Sequence, residues 1–403
     1  MPTTLRLIAT ALLTGLAACA LLILAPAAAA NTYTPNKLAD HAPNGCTHTD
    51  CTLREAITKA NNHAGGDTII VQGGKTYDLS QAGAGENLNA TGDLDVLASL
   101  RIQSSSKKLA TVDAHGIDRV FDFETGGVDA ALKRLWIRAG SAGEGGGVEV
   151  EAGTIKIANS RVSGNTGTGV VINSEEGASA ITILKSAISG NHSATNGGGL
   201  LVVSGPHARV IDSTISGNTT DAPGGGGGIA VDVLGSLSVT NSTIANNRAL
   251  ATGGGIFANS SAGSTSLRSV TVARNTANND GVGNDEGGGL SNYSGSFTAR
   301  NSIVALNAVG AGSSDPDCIG TFSSIGPNLL TNVTGCSGFA TPPNIVTSNP
   351  RLGPLANNGG PTKTIALRRH SPAINHADSG SPKRDQRGVK RRKHPDVGAY
   401  ERR

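Results

Sequence analysis

Hydrophobic and polar residues follow a repeating pattern along residues 145–310. Six short segments, NSRVSGN, KSAISGN, DSTISGN, NSTIANN, SVTVARN and NSIVALN, follow one another in this stretch. Each places a β-branched residue three positions before an asparagine, and successive asparagines lie roughly 26 to 32 residues apart. A period of this length predicts a stack of similar structural units. The pairs are Val162/Asn165, Ile188/Asn191, Ile215/Asn218, Ile244/Asn247, Val272/Asn275 and Val304/Asn307.

The residues between these segments alternate between hydrophobic and polar, as in SLSVTNSTI and GTIKIANS. Alternation with a period of two predicts β-strands, whereas helical repeats need apolar residues three and four positions apart. A glycine run such as NGGG or GGGGG occurs once in each interval, and glycine permits tight corners. Two or three short strands per repeat fit one coil of a parallel β-helix, in which crossovers are right-handed. We therefore predict an all-β fold, a right-handed parallel β-helix, which resembles the pectin-lyase-like solenoids.

The repeated residues have predicted roles in such a stack. The six β-branched residues are expected to point into the core and to stack from coil to coil at the inter-strand spacing of about 4.8 Å. The six asparagines are expected to occupy a repeated turn and to hydrogen-bond to one another as a ladder. Both roles are structural, and neither predicts an activity. The ladder residues are Asn165, Asn191, Asn218, Asn247, Asn275 and Asn307.

Residues 1–30 have the pattern of a signal peptide. Arg6 precedes the apolar stretch LIATALLTGLAACALLILAP, and the small residues of PAAAA provide a cleavage site after Ala30. We therefore predict a secreted or cell-surface protein with no transmembrane segment in its mature chain. The segment LAAC also resembles a bacterial lipobox, which would make Cys19 a lipidated N-terminus. Lipid attachment at Cys19 stays open as the alternative to free secretion.

Four cysteines remain after removal of the signal peptide, an even number that suits disulfide bonds in an exported protein. Cys46 lies close to Cys51 in the sequence, and Cys318 and Cys336 enclose a short loop. Local pairing is therefore the simplest of the three possible connectivities. Zinc binding is the rival interpretation, but no spacing of histidines and cysteines supports it.

The mature chain divides into three predicted segments. Residues 31–66 form an N-terminal cap, residues 67–310 form the coils, and residues 311–403 form a C-terminal coil and a basic tail. Within the cap, TLRE has the form of a capping box, and the apolar residues after it recur at helical spacing. A short helix here would cover the open end of the solenoid, whose free strand edges otherwise promote end-to-end association. We accordingly expect a monomer.

Two segments outside the repeats resemble known families. DCTLREAITKANNHAGGDTIIV resembles the bacterial CSLREAI segment, and NNGGPTKTIALRRHSPAIN with DQRGV and DVGAYE resembles the choice-of-anchor Q domain of exported β-helix proteins. The GGGI and N-x-A elements of the repeats are similar to those of polymorphic outer-membrane proteins. The resemblance implies a bacterial surface or secreted β-helix and supplies no catalytic site. Asn375 departs from the choice-of-anchor Q pattern, which usually has a carboxylate there.

Positive charge is concentrated near the C-terminus in KRDQRGVKRRK, although the whole chain carries a net charge of only +3. Such a cluster can bind anionic polysaccharide or cell-envelope polymer, and its binding would weaken with salt. We do not expect nucleic acid as a partner, because the protein is exported and has no recognition module. The alternative is a solvated loop that pairs in part with nearby carboxylates. The predicted binding residues are Lys383, Arg384, Arg387, Lys390, Arg391, Arg392 and Lys393.

The loop NNDGVGNDEGGG offers oxygen ligands for calcium at Asp280, Asp285 and Glu286. Its spacing matches neither an EF-hand nor the nonapeptide repeat of calcium-binding β-helices, so a solvated turn is the alternative. Asp315 and Asp317, beside Cys318, are a second, similar calcium candidate with the same alternative. Apart from calcium at these carboxylates, the sequence predicts no metal and no cofactor.

The sequence assigns no catalytic residues. It has no Asp-Asp pair and neither of the GHG and RIK strings that pectin hydrolases of this architecture carry. Aromatic residues make up only 3%, and Trp136 alternates like a strand residue, so we expect it to be packed. We predict a non-catalytic, adhesin-like or polysaccharide-binding protein. A carbohydrate-active enzyme, either a polysaccharide lyase or a glycoside hydrolase, is the alternative.

Overall fold

The chain winds into coils that pair with one another through parallel strands. The computed structural model describes residues 29–174, 179–278, 286–310 and 316–403. Within these ranges the strands of successive coils form four ribbons, and every pairing between coils is parallel. The predicted parallel β-helix is therefore confirmed.

Ribbons 1 and 2 follow each other along every coil, and the two strands Ile256–Arg268 and Leu290–Arg300 run through both. Ribbon 1 also contains Leu94–Asp95, Phe121–Phe123, Val148–Val150, Val170–Asn173, Leu200–Val203, Ile229–Asp232, Cys318–Thr321 and Cys336–Ser337. Ribbon 2 also contains Thr32–Tyr33, Asp67–Val71, Leu100–Ser104, Asp129–Lys133, Thr154–Ala158, Ala180–Leu184, His207–Ile211, Ser236–Thr240 and Ser323–Ser324.

Ribbons 3 and 4 complete the coils. Ribbon 3 contains Thr76–Asp78, Ala110–Asp113, Leu135–Arg138, Arg161–Ser163, Ala187–Ser189, Thr214–Ser216, Thr243–Ala245, Thr271–Ala273, Ile303–Ala305, Leu329–Leu330 and Ile345–Val346. Ribbon 4 is shorter and contains His192–Ser193, Thr219–Thr220, Arg248–Ala249, Thr276–Ala277 and Ala308–Val309.

The β-branched residue of each repeat lies in the core. These residues occupy equivalent positions of ribbon 3 in successive coils, and all six are fully buried. Burial of an aliphatic side chain of this size contributes roughly 1.5–3 kcal/mol. The predicted aliphatic column is therefore present and is one of the main sources of stability. Its members are Val162, Ile188, Ile215, Ile244, Val272 and Val304.

The repeated asparagines form a buried ladder beside this column. Each donates its main-chain N–H and its Nδ2 to the Oδ1 of the asparagine in the next coil, at distances of 2.9–3.2 Å from Asn165 to Asn307. A carboxamide suits this position because it carries both a donor and an acceptor. The ladder satisfies polar main-chain groups at the turn between ribbons 3 and 4.

A left-handed backbone corner separates ribbon 2 from ribbon 3 in successive coils. The corner residues have φ between 49° and 55°, a conformation that costs most residues other than glycine roughly 1–2 kcal/mol. The corner places one side chain per coil in a row along the helix axis. The residues in this row are Arg134, Asn159, Lys185, Asp212, Asn241, Ser269 and Asn301.

The N-terminal end of the solenoid is covered by the helix Leu53–Asn61. Its predicted capping box is present, since Thr52 Oγ1 accepts from Glu55 N at 3.1 Å and Glu55 Oε2 accepts from Thr52 N at 2.8 Å. Arg54 is fully buried and donates to the Asp40 carboxylate and to the Gly92 carbonyl. The cap is therefore fixed to the loop that precedes the first strand of ribbon 1.

Both predicted disulfides are confirmed. Cys46 bonds to Cys51, immediately before the cap helix, and Cys318 bonds to Cys336 in the last coils. Residues 1–28 lie outside the described ranges, so the signal peptide and lipidation at Cys19 stay predictions. No helix among residues 29–174, 179–278, 286–310 and 316–403 is long and apolar enough to cross a membrane.

The coils continue to Val346, and the chain then reverses along the outer face of ribbon 3. Leu352–Ala356 and Thr364–Leu367 pair as an antiparallel hairpin. The following segment docks through Gln386, whose Nε2 donates to the Ser213 carbonyl at 3.0 Å and to Thr214 Oγ1 at 2.9 Å. We call residues 347–403 the tail. The tail covers ribbon 3 from Thr214 onward.

Candidate functional site

The structure divides the seven basic residues of the tail into two groups. Arg391 is buried, and its guanidinium donates to the carbonyls of Asp396 and Gly398 and to Asn241 Oδ1, at 2.7–3.1 Å. It also pairs with Glu401 at 3.4 Å. Burial lowers the pKa of Arg391 despite this carboxylate. Arg391 therefore holds the tail together, and its role in ligand binding stays a prediction, since its buried guanidinium also lines the tail depression described below.

Arg387 is also part of the tail's internal structure. Its guanidinium donates to Asp385 Oδ2 at 2.7 Å and to the Glu401 carbonyl at 2.6 Å, and it stacks on Tyr400 at 3.6 Å from the ring centroid. A binding role for Arg387 also stays a prediction. These partners leave little of the Arg387 guanidinium accessible to a ligand. This agrees with the alternative prediction, a loop that pairs in part with nearby carboxylates.

Five of the predicted basic residues remain exposed, and four of them surround a shallow depression of about 260 Å³ whose lining also includes Asp378. Arg384 donates to the nearby Gly388 carbonyl at 2.7 Å. This surface retains positive charge, but it is smaller than the sequence predicted. The exposed residues are Lys383, Arg384, Lys390, Arg392 and Lys393.

The calcium prediction for the loop before Gly287 stays untested. Asp280 and Asp285 lie outside the described residues, and only Glu286 of the three lies within them.

A second basic surface, which the sequence reasoning missed, lies where ribbon 2 turns into ribbon 3. Four cations from neighbouring coils line a depression of about 520 Å³, and none of the described residues in its lining is acidic. Arg134 and Lys185 belong to the left-handed corner row, and Arg161 begins the next strand of ribbon 3. The tail residues Pro361 and Thr362 form its border. The four cations are Lys107, Arg134, Arg161 and Lys185.

Trp136 lies on the outer face of ribbon 3, half-buried and outside the core, because it alternates with the buried residues of its strand. The guanidinium carbons of Arg138 and Arg161 each lie 4.9 Å from its ring centroid. Its Nε1 donates to Ser163 Oγ at 2.8 Å. The two arginines and the serine fix the ring in place.

The indole and the cations form one continuous surface. A depression of about 420 Å³ around Trp136 shares Arg161 with the 520 Å³ depression, and its floor contains Ser163, Ser189 and three glycines. At Gly164, Gly190 and Gly217 nothing lies within 4 Å of the position that a Cβ would take. We call the combined surface the basic groove. Its cations are Lys107, Arg134, Arg138, Arg161 and Lys185, and its aromatic residue is Trp136.

A sequence signal for the basic groove existed but was weak. Arg134 and Lys185 stand at the same corner two coils apart, but Asn159 stands between them and Asp212 follows. The charge therefore does not repeat strictly with the coil period. The basic run KRDQRGVKRRK of the tail was the more visible pattern in the sequence, although folding buries Arg391 within it.

Carboxylates converge in the first coils of ribbon 1. Asp95, Asp122 and Glu149 are direct neighbours on three successive strands, and Asp93 precedes the first of them. Arg119 pairs with Asp122, with Glu149 at 2.9 Å and with Asp93 at 3.5 Å. Burial, reinforced for Asp93 by neighbouring carboxylates, raises the pKa of Asp93 to about 9, and burial raises the pKa of Asp122 to about 7. All four carboxylates are buried, so this cluster does not form an open catalytic cleft.

A separate acidic depression of about 710 Å³ lies between ribbons 1 and 2. Its described lining includes Glu124, Asp129 and Glu151 and contains no lysine or arginine. Burial raises the pKa of Glu124, and the nearby Glu151 carboxylate adds to the effect. A lyase needs a basic residue beside its cation-binding carboxylates, and the described lining of this depression does not provide one.

Comparison with known proteins supports the fold. A family model described as a right-handed β-helix region matches residues 138–309, which agrees with the predicted hand of the solenoid. No curated protein matches the chain. Among solved structures, the chain is similar to the pectate lyase Pel9A, with a TM-score of 0.49 and 15% sequence identity over 93% of this chain and 96% of that one.

Proposed function

We propose that this protein is a non-catalytic, extracellular β-helix protein that binds anionic polysaccharides in the basic groove. The observation that carries the proposal is the row of cations Lys107, Arg134, Arg161 and Lys185 in one depression whose described lining has no carboxylate. Coils repeat at about 4.8 Å, so these cations are distributed along the helix axis. A polymer with an anionic group on each sugar presents a matching row of charges.

Trp136 and the serines of the groove add contacts of a different kind. The indole offers an apolar surface for a sugar ring, while the Ser163 and Ser189 hydroxyls can hydrogen-bond to sugar hydroxyls. The small residues of the floor leave space for a bulky chain. The groove therefore suits a sugar polymer better than a simple inorganic anion.

An extracellular location is supported by the two disulfides and by the signal-peptide pattern of residues 1–30. The resemblance of the two terminal segments to the CSLREAI segment and the choice-of-anchor Q domain also supports a bacterial secreted or surface protein. Mass spectrometry of the mature protein distinguishes a start at Asn31 from an acylated Cys19. An Asn31 start supports free secretion, and an acylated Cys19 supports attachment.

The proposal is tested by titrating the mature protein with polygalacturonate and with neutral dextran in isothermal calorimetry at low and high salt. We expect polygalacturonate to bind at low salt and to lose affinity as salt rises, because exposed charges are screened beyond about 8–10 Å near physiological ionic strength. Dextran is expected to bind weakly or not at all. Failure of every anionic polymer to bind at low salt would remove the proposal.

Variants locate the binding surface. The double variant Arg161→Glu/Lys185→Glu is expected to weaken polygalacturonate binding at least tenfold. Arg101→Glu/Arg209→Glu, at two exposed positions of ribbon 2, is the control with the same change of net charge. Lys390→Glu/Lys393→Glu tests the exposed cations of the tail, which we propose as a secondary contact. A loss of binding in the tail variant alone would move the site to the tail.

A carbohydrate-active enzyme is the second candidate, and the observation that favours it is the acidic depression. Glu124 and Glu151 are the carboxylates that a glycoside hydrolase would need there. Incubation with a panel of neutral and acidic polysaccharides tests this candidate, with Glu151→Gln as the control for activity at the depression. Product that disappears in Glu151→Gln would favour the enzyme over the non-catalytic binding protein.

A further inference from the structure

The described chain contains a buried group of carboxylate oxygens that is separate from the basic groove. One oxygen from each of Asp93, Asp95 and Asp122 lies within 4.8 Å of the others. These residues come from two successive coils at the N-terminal end of ribbon 1. Relative exposure is 4%, 1% and 2%, respectively. Carboxylates at this density in a buried place repel one another unless a cation or protons neutralise them.

Two oxygens in this group lack hydrogen-bond partners. Asp95 Oδ2 accepts from Asn89 N at 2.5 Å, whereas the Asp93 carboxyl is the one group among the described residues placed to share a proton with Asp95, and no other donor there reaches its buried Oδ1. Asp122 Oδ2 pairs with Arg119, whereas its buried Oδ1 also has no partner. A buried acceptor without a partner costs roughly 1–3 kcal/mol, and more when it is charged. The geometry therefore leaves one unused oxygen on each of two adjacent carboxylates.

Arg119 does not balance the charge of the cluster. Its guanidinium faces Asp93, Asp122 and Glu149, so a single positive charge is shared among several carboxylates. The other buried guanidinium nearby, that of Arg54, is already paired with Asp40 at 3.0 Å and with main-chain carbonyls. A divalent cation would supply the missing charge and the missing partners together.

We propose that Asp93, Asp95 and Asp122 bind one divalent cation, and that this cation is Ca²⁺. The donors are carboxylate oxygens only, which favours hard cations over zinc or copper. Calcium tolerates irregular oxygen geometry, whereas magnesium requires a near-octahedral shell and loses its water reluctantly. This site differs from the calcium loop that the sequence predicted, and it does not depend on the proposed polysaccharide binding.

The bound ion would connect the first coils to the cap. The cap helix holds the segment that carries Asp93 and Asp95. Arg54 Nη2 donates to the Gly92 carbonyl at 2.7 Å. Asn61 Nδ2 donates to the Asp95 carbonyl at 2.8 Å. Asp122 belongs to the next coil of ribbon 1. An ion between them links the cap, the loop and the second coil, so it stabilises the end of the solenoid where stacking contacts are fewest.

The experiment uses the mature protein freed of metal with a chelator and then titrated with Ca²⁺ in calorimetry and in thermal unfolding. We expect about one Ca²⁺ per chain and, at saturation, a rise in Tm of at least about 3 °C. Hydrogen exchange of the cap helix Leu53–Asn61 is expected to slow when Ca²⁺ binds. Mg²⁺ at the same concentration is expected to have a smaller effect.

Asp95→Asn and Asp122→Asn are expected to weaken Ca²⁺ binding at least tenfold. Asp221→Asn is the matched control, because the exposed Asp221 carboxylate lies opposite His192, in later coils than the cluster, and its loss should leave the Ca²⁺ response unchanged. If neither substituted protein folds, the wild-type hydrogen-exchange measurement decides alone. No Ca²⁺ binding, or equal binding by wild type and Asp122→Asn, would overturn the proposal.

Discussion

Asn307 donates both its main-chain N–H and its Nδ2 to one oxygen of Asp317, at 3.2 and 3.0 Å. In the preceding coils the equivalent acceptor is the Oδ1 of the next asparagine. The other oxygen, Asp317 Oδ2, accepts from the main-chain N–H groups of Thr331 and Asn332 at 2.8 and 2.7 Å. A carboxylate suits the end of the ladder because only donors surround it.

Replacement of this carboxylate by a carboxamide is expected to destabilise the last coils. In Asp317→Asn, the Oδ1 of the new carboxamide can still accept from Asn307. Its NH₂ group then faces the main-chain N–H groups of Thr331 and Asn332, which are also donors. Loss of the hydrogen bonds that Asp317 Oδ2 accepts predicts a decrease of about 1.5–3 kcal/mol in the free energy of unfolding at pH 8, measured by denaturant titration. Asp129→Asn, at an exposed position of ribbon 2, is the control. Equal stability of wild type and Asp317→Asn would contradict the prediction.

The same residue predicts a pH dependence. Burial raises the pKa of Asp317, although hydrogen bonds from Thr331 and Asn307 act in the opposite direction. An acid whose pKa is raised by folding stabilises the protein fully below its unfolded pKa of about 4, and this contribution is lost as pH rises through the folded pKa. The stability difference between wild type and Asp317→Asn should therefore shrink from pH 4 toward pH 8. A difference that grows with pH would show that the sign is wrong.

The interior of the solenoid could be predicted because its residues repeat with the coil. The spacing of Asn165 and Asn191 gave the period, and the local pairs of cysteines gave both disulfides. One coil also separates each of the neighbouring carboxylates Asp95, Asp122 and Glu149 from the next. The coils that carry the first two lack the asparagine motif that would have shown which residues are neighbours. Their convergence was therefore invisible in the sequence.

The tail could not be predicted for a different physical reason. Lys390 and Arg391 are adjacent and both basic, yet the first is exposed and the second is buried. The difference arises because Arg391 reaches Asn241, which lies 150 residues earlier in the chain. Local charge patterns carry no information about such a contact.

Asn218 tests the ladder in its interior. Its Oδ1 accepts from Asn191, and its Nδ2 donates to Asn247 Oδ1 and to the Ile188 carbonyl at 3.0 and 3.1 Å. Asn218→Ala leaves several of these buried groups without partners, so we expect a loss of about 3 kcal/mol in unfolding free energy. Ser238→Ala, on the outer side of ribbon 2, is the control and should change stability little. A loss below about 1 kcal/mol in Asn218→Ala would mean that water replaces the ladder.

Arg54 tests the attachment of the cap. Arg54→Lys keeps the positive charge but cannot reach the Asp40 carboxylate and the carbonyls of Thr91 and Gly92 together, because an ammonium lacks the planar fork of a guanidinium. We expect destabilisation of about 1–3 kcal/mol, because buried carbonyls lose their donor while the charge opposite Asp40 is kept. Lys59→Ala, at an exposed position of the same helix, is the control. Hydrogen exchange should place the loss in the cap, and a uniform change along the chain would contradict this explanation.

Substitutions of Arg391 and Lys390 distinguish a structural role from a binding role in the tail. Arg391→Ala removes the donors to Asp396, Gly398 and Asn241 and leaves Glu401 buried without its partner, so the tail is expected to detach from ribbon 3. Limited digestion with proteinase K, which does not require a basic residue, should then cleave the tail at least tenfold faster than in wild type, while the coils stay resistant. Lys390→Ala removes an exposed charge and should leave the cleavage rate unchanged. If the tail contacts an anionic polymer, this variant should also bind the polymer more weakly. Equal cleavage of Arg391→Ala and Lys390→Ala would show that Arg391 does not attach the tail to ribbon 3.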